Sequence, residues 1–484
     1  MSTADWLYRP NRGIHLTIRD VDCENFDVEA MVQEFSRLKV TFFSFFAGGY
    51  VTTYPTGLDL QRRSPWLGER DLTGEIVECA HRHGIKAIPM VDLGVLPADA
   101  FEAHPEWAAR DAAGDPRRQG EGLYASCPMG GYVTDYSCEI VREIVERYPV
   151  DGMKFGGGSY GFSGAVCHCA ACAERYAQET GGSLPETDDW ADPNYRRYVR
   201  WRTARTVDCV GNLVSMVHSI RAGLPVVGNA VCFGDPGWSV SKSLDIERMA
   251  ERQDAVQVEA QTRAWYEQDT GLAHWQYLKW PAETAAFMTS VCDRPVWVVV
   301  SYFCAWPWRR NAVPPTEQKV YLAQIAAHGA TPMVNLSGGP PAVHEDRRGF
   351  QAIQELYGFL DRNSDLLEGT ESAAEVAIVY DHDSLIHRGN TGRAGDLVEE
   401  IRGFEEALDR AHVPFDIISS RTLTPEKVGR YRVLVLPNLC CTDERAARRI
   451  DRYVRNGGGV VATYQTGLLD REGQSRDGFL LGDI

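Results

Sequence analysis

No stretch of the 484-residue chain approaches the roughly 18 consecutive apolar residues that a membrane-crossing helix needs. Positive charge is also short. The 50 Lys and Arg against 67 Asp and Glu leave a formal net charge of -17, which removes the basic face that nucleic acid or an anionic membrane surface demands. Residues 1–10 lack the charged start and apolar run of an export signal, so the expected location is cytoplasmic. The 13 cysteines are odd in number and mostly scattered, which argues for reduced thiols over a disulfide framework. What remains, with 44% apolar and 24% charged residues, is an ordinary globular composition. The expected partner is a small neutral molecule.

Eight β-branched or aromatic runs occupy the first 340 residues, at 14–18, 40–46, 85–91, 151–155, 225–230, 255–259, 295–302 and 331–336. Between them lie amphipathic stretches; residues 28–38, 72–83, 132–148 and 316–328 carry apolar side chains at helical spacing. Parallel neighbours need a crossover helix, so eight alternations predict a (β/α)8 TIM barrel over residues 1–365. An open doubly wound sheet would alternate too. From 366 to 484 a second pattern follows, with strands at 376–380, 415–418, 433–437 and 459–464 and helices at 396–411 and 444–456. That pattern predicts a flavodoxin-like open parallel α/β domain, with few strands for a complete one.

Chemistry in a parallel barrel gathers at the C-terminal strand ends and the loops after them. Those positions carry Tyr50, Tyr54, Asp92, Gly156, Tyr160, Asn229, Asp235, Trp238, Glu259, Tyr302, Trp306, Trp308, Arg309 and Asn335, and His15, within the first strand, is a further candidate for binding the substrate. Carboxylates among aromatic rings and amides suit a sugar: rings stack on the pyranose face, amides and Arg bind hydroxyls, and two carboxyls serve the glycosidic oxygen and the anomeric carbon. Any single acid among them could equally be a salt bridge or a loop cap. Glu259 stands out because it ends a short apolar strand with no local partner.

Two further signals sit around the fourth strand. Cys167, Cys169 and Cys172 are spaced so that their thiolates can reach one tetrahedral Zn2+, with Cys127 as fourth ligand. That would be a closed structural site; no organic cofactor is expected. Lys154 alternates with position 156 along the strand and so faces the barrel interior, where Asp92 and Glu259 are the expected charge partners. It is either a buried ion pair or an amine of lowered pKa.

Several motifs together carry a family resemblance. They include Arg12-Gly13-Ile14-His15, Tyr54-Pro55-Thr56, His104-Pro105-Glu106-Trp107, Cys127-Pro128, Val150-Asp151-Gly152, the cysteine cluster followed by Arg175-Tyr176, Trp306-Pro307-Trp308-Arg309 and Ala327-His328-Gly329-Ala330. The pattern resembles the hypothetical glycosyl hydrolases related to α-L-fucosidases. The tail, through Val376-Ala377-Ile378-Val379-Tyr380 and Val433-Leu434-Val435-Leu436-Pro437-Asn438, resembles the β-galactosidase trimerisation domain. The resemblance implies a barrel, a glycosidase ancestry with a carbohydrate or glycoside substrate, and a homo-oligomer, trimer or dimer.

It also exposes a missing residue. In the fucosidase relatives the fourth strand is followed by an aspartate, the retaining nucleophile, and Gly156 stands in that place; Glu259 matches the family's acid at the sixth strand. Three expectations follow. Glu259 could act as general acid with Asp92 or Asp235 in the second role, giving inversion. Lys154 and Glu259 could instead form an acid/base pair for a lyase, isomerase or ring chemistry. The barrel could also bind sugars without turning them over.

Overall fold

The computed structural model describes residues 4–156, 162, 164–230, 239, 242–261, 278–304, 308–390 and 394–482. Eight parallel strands close into a barrel: β1 Gly13–Leu16, β2 Phe42–Gly49, β3 Lys86–Asp92, β4 Met153–Phe155, β5 Val226–Ala230, β6 Ala255–Glu259, β7 Val296–Ser301 and β8 Thr331–Leu336. Each pairs with its sequence neighbours, and β1 closes on β8 with His15 opposite Asn335. The open-sheet alternative is thereby removed.

Helices wrap the outside for the reason their sequences gave. In α1 (Val28–Arg37) the residues Val28, Met31, Val32 and Phe35 are buried in one stripe, and the Asp27 carboxylate caps the first turn by accepting from the Ala30 N–H at 2.9 Å. In α2 (Leu72–Arg82) Asp71 does the same for Gly74. α3 (Ser137–Arg147), α4 (Pro193–Ile220), α5 (Trp280–Val291), α6 (Pro315–Ala327) and α7 (Arg348–Arg362) complete the described ring.

The barrel interior is stratified. Its lower layer is apolar, with Phe42, Ile88, Val227, Ala255, Trp297, Val299 and Met333 packed together and Trp6 closing the bottom. Above it the buried residues turn polar: His15, Ser44, Lys154, Gln257, Ser301 and Asn335. A dry plug below and a polar floor above define which end of the barrel can receive a ligand.

After β3 the chain makes a small antiparallel sheet from Val95–Pro97, Arg118–Gly120 and Leu123–Ala125. The second domain has four parallel strands in the order β10-β9-β11-β12, namely β9 Val376–Tyr380, β10 Phe415–Ser419, β11 Val433–Leu436 and β12 Gly459–Ala462. α8 (Ala394–Arg410) and α9 (Glu444–Arg455) pack with this sheet.

The domains meet through charge as well as apolar contact. Arg402 on α8 pairs with the fully buried Glu283 of α5 at 2.9 Å, and Arg421 pairs with Asp245 at 2.8 Å. No described helix is long and apolar enough to cross a membrane.

Candidate active site

Glu259 ends β6 at the polar mouth, and both of its oxygens are held. Asn229 at the end of β5 donates to Oε1 at 2.6 Å, and Gln261 donates to Oε2 at 2.7 Å. Gln261 is fixed in turn, since its Oε1 accepts from Asn335 at 2.8 Å and from Ser301 at 3.1 Å. Ser337 donates to the Asn335 side-chain Oδ1 at 2.9 Å. A chain of amides from three strands thus sets the orientation of one carboxylate that keeps part of its surface open.

Lys154 lies deeper, fully buried, with its Nζ 3.2 Å from His15 Nδ1. Burial pulls its ammonium down to about 7, and the nearby Glu259 carboxylate partly opposes that. Burial and the Lys154 charge hold His15 well below the ordinary imidazole value, so His15 is neutral and its Nδ1 also contacts Ser44 Oγ at 2.8 Å. Lys154 is therefore an interior group coupled to Glu259, as its strand position predicted. Its other expected partner, Asp92, does not act on it; the ammonium that lowers the Asp92 carboxyl is that of Lys242.

Asp92 occupies the site's most informative position. It ends β3, half-buried, and accepts from the Gly94 N–H at 3.0 Å. A Cβ built on Gly156 would sit 3.2 Å from the Asp92 carboxyl carbon and 3.2 Å from one of its oxygens. The volume in front of the fourth strand, bare of a carboxylate in the sequence, is bordered by a carboxylate from the third. Gly49 makes the approach of β2 and β3 feasible: its φ is +106°, and a Cβ there would lie 2.0 Å from the Asp92 carbonyl oxygen. Desolvation pushes the Asp92 carboxyl up, while the Gly94 N–H and the Lys242 ammonium act against that.

Lys242, which sequence reasoning missed, has its own pKa lowered by burial and raised again by Asp92 and Glu259. Tyr50 is in the same field: burial first, then Asp20 and Asp92, push its phenol up. The mouth therefore mixes charge, with Asp92, Glu259 and Lys242 gathered over a polar floor that holds Lys154.

Two expected ligand-binding rings are not at the mouth. Tyr54 is fully buried on the outside of the barrel, where its hydroxyl donates to Glu143 at 3.0 Å and its ring meets Tyr148 edge-on. Tyr302 is fully buried against His344 and Phe350 and donates to the Asp346 carbonyl. Both follow a strand end, but the chain has already turned outward there. Trp308 is exposed, and the Arg309 carbonyl approaches Gly338 on the same rim. Tyr160, Asp235, Trp238 and Trp306 lie outside the described residues.

The cysteine cluster is built from two loops. The small sheet after β3 leads to Cys127, whose N–H donates to the Trp107 carbonyl at 2.9 Å. Cys169 stands at the start of the helix Ala170–Thr180, and the Cys167 N–H donates to the Tyr198 hydroxyl at 3.0 Å. All four sulfurs are buried, none is in a disulfide, and all lie within 4.8 Å of one another. Cys127 Sγ is 3.4 Å from Cys172, 3.5 Å from Cys169 and 4.0 Å from Cys167. The Met129 N–H points at Cys127 Sγ from 3.4 Å.

Comparison with known proteins agrees with this architecture. Residues 27–155 match the family described as hypothetical glycosyl hydrolase 6, and residues 374–484 match the β-galactosidase trimerisation domain. β-Galactosidase GalA of Bacillus licheniformis is 21% identical over 457 residues, covering 82% of this chain and 65% of the relative. α-L-Fucosidase isoenzyme 2 from Paenibacillus thiaminolyticus superposes with a TM-score of 0.73 at 19% identity, over 94% of this chain and 64% of that one. The polyextremophilic β-galactosidase of Halorubrum lacusprofundi does so with a TM-score of 0.74 at 18% identity, over 98% and 75%. The chain spans about two thirds of the length of such relatives. It is glycoside-hydrolase-like, with β-galactosidases and an α-L-fucosidase among its similar proteins.

Proposed function

We propose that this protein hydrolyses a glycoside with Glu259 and Asp92 as its carboxyl pair. The observation that carries the reading is the Asp92 carboxyl beside Gly156, on the same mouth as Glu259. The environments divide the roles. Glu259 accepts from two fixed amides and lies near the Lys154 ammonium, which suits the anionic member that faces the anomeric carbon or the water attacking it. Asp92 is the member pushed toward its protonated form by desolvation, which suits proton donation to the leaving oxygen. This exchanges the roles expected from the strand position of Glu259 alone.

The test is a panel of aryl and alkyl glycosides, led by α-L-fucosides and β-D-galactosides, on wild type, Asp92→Asn and Glu259→Gln. Loss of the acid matters least for a leaving group that departs unaided. Asp92→Asn should therefore keep more activity on a dinitrophenyl glycoside than on a methyl glycoside, whereas Glu259→Gln should lose both alike. A wild type inactive on every member would leave the hydrolase reading without support.

Lys154 supports a second reading. An amine buried in the barrel with its pKa near 7 could serve as a base for elimination or isomerisation of a sugar. Lys154→Met would then abolish turnover of a free sugar while sparing its binding.

The four cysteines fit a zinc ion. A tetrahedral centre with Zn–S of about 2.3 Å sets its sulfurs about 3.8 Å apart, and the three Cys127 distances bracket that value. Four buried thiols in such proximity cannot ionise together without a cation between them. When bound, the ion would tie the loop after β3 to the loop after β4, with Cys127, Cys167, Cys169 and Cys172 as ligands. Elemental analysis should return about one zinc per chain, lost in Cys169→Ser together with thermal stability.

A further inference from the structure

The second domain carries a cavity that glycoside hydrolysis does not use. It lies between α9 and the segment from Leu423 to Arg432, has a volume of about 660 Å3, and is floored by Leu423, Val428, Tyr431 and Tyr453. Five arginines line it: Arg432, Arg445, Arg448, Arg449 and Arg452.

Four of these occupy positions i, i+3, i+4 and i+7 of α9, one face of the helix. The ordinary explanation of such a face is solvation, and solvated helices commonly interleave acids to relieve like charge. Here the acids of α9 are engaged elsewhere: Glu444 pairs with Arg476 at 2.9 Å and Asp451 with Arg455 at 2.9 Å. The side chains of Arg445, Arg448 and Arg452 have no ion-pair or hydrogen-bond partner among the described residues. Arg449 donates to the Arg421 carbonyl at 2.9 Å, and its pKa is lowered by desolvation and by the neighbouring Arg445 charge. Arg445 also stands in the first turn, where the helix dipole disfavours a cation. Arg432 pairs with Glu375 at 3.3 Å, and Asp443 and Glu426 act on Arg449, but the unpaired guanidiniums of Arg445, Arg448 and Arg452 remain a local cost in a chain of net charge -17, and such costs mark sites that a ligand relieves.

We propose that this cavity binds a phosphorylated small molecule, its phosphate held by the α9 arginines and its ring resting on the Tyr431, Tyr453 and Leu423 floor. Guanidinium groups match phosphate oxygens two at a time. The volume falls in the range of small-molecule sites, which combine an apolar wall with a few fixed charges. The ring could belong to a nucleotide or to a sugar phosphate; the recognition chemistry is common to both.

Calorimetric titration of the full chain in 0.15 M salt tests this with ADP, a hexose 1-phosphate, inorganic pyrophosphate and adenosine. ADP or the sugar phosphate should bind at least tenfold more tightly than pyrophosphate, and the tighter of the two identifies the source of the ring. Adenosine alone should give no heat. The doubly substituted R448E/R452E, both positions exposed and outside the barrel, should lose binding while its melting temperature stays within a few degrees. R448K/R452K should weaken binding while keeping the charge. Absence of binding by all phosphates at 1 mM, or equal binding by R448E/R452E, overturns the site. So does a change in the molecular mass of R448E/R452E without phosphate binding by the wild type, since the face would then belong to a contact between copies of the chain.

Discussion

Two of the clusters of mixed charge among the described residues differ in how far their acids are exposed. At the barrel mouth Asp92, Glu259 and Lys242 keep part of their surface exposed above buried Lys154. Between the domains, Asp245, Glu247, Asp381 and His382 are buried around Arg421, with Asp383 at the edge. Its buried acids are bonded from within: Arg421, whose side chain is 29% exposed, bonds Asp245 from one nitrogen, Ser420 donates to Asp381, and Ser419 donates to Glu247 Oε2, while Glu247 Oε1 and His382 Nε2 have no hydrogen-bond partner among the described residues. At the mouth, amides hold the carboxylates in place without covering them. Burial alone thus does not single out the proposed catalytic acids; what sets them apart from the interdomain acids is orientation by neutral donors combined with an open side.

The largest separation of the two clusters should come from the carboxyl pair. Glu259→Gln or Asp92→Asn should lower kcat/KM on an alkyl glycoside by about 10^3-fold, in the range typical of a general acid or base. Their chemical-denaturation midpoints should move little, because neither side chain is sealed. A large stability loss with retained turnover would place the mouth in the same class as the interface.

Arg421→Met should do the reverse. Removing the cation leaves Asp245, whose side chain is only 2% exposed, with its charge uncompensated. The expected cost is about 3 kcal/mol of stability, while kcat per folded molecule is unchanged. Urea titration followed by activity of the refolded fraction measures both.

The barrel, its eight strands and the second sheet were legible because periodicity and strand length are local properties. The sixth strand, 255–259, coincides with the observed Ala255–Glu259. The mouth was legible only where a side chain follows directly from its strand, as for Lys154, Glu259 and Asn229. Tyr54 and Tyr302 lie beyond the strand ends, where alternation no longer tells direction, and both turned into the outer core. Lys242 sits in a loop with no period to expose it. The approach of Asp92 to Gly156 depends on the register of β3 against β4, where Val91 lies opposite Phe155, and register between strands distant in sequence is not written in either one.

That approach can be rebuilt by moving the carboxylate. Gly156→Asp alone sets a Cβ 3.2 Å from the Asp92 carboxyl and a second acid beside it, so it should destabilise and add no activity. Asp92→Gly with Gly156→Asp returns the acid count to its original value and relieves the crowding. The double variant should recover about tenfold of the activity that Asp92→Gly loses. If the double variant is as inactive as Asp92→Gly, the position of the carboxyl on the third strand is itself required.

The last test addresses the interdomain cluster through pH. Glu247 is buried, and desolvation raises its carboxyl to about 8, with Asp245 adding to the rise and Arg421 and Ser419 opposing it. In the unfolded chain the same group titrates near its ordinary value of about 4.3. The folded state therefore retains a proton that the unfolded state has released between these values. The stability held by that proton is fully present below about pH 4 and is lost as pH rises to 8. One group contributes at most about 1.4 kcal/mol per pH unit to that decline. Glu247→Gln keeps the neutral form at every pH, so its stability should fall less than that of wild type between pH 5 and pH 8. An equal slope in the two proteins would mean that Glu247 is already ionised in the folded state and that Arg421 compensates three acids.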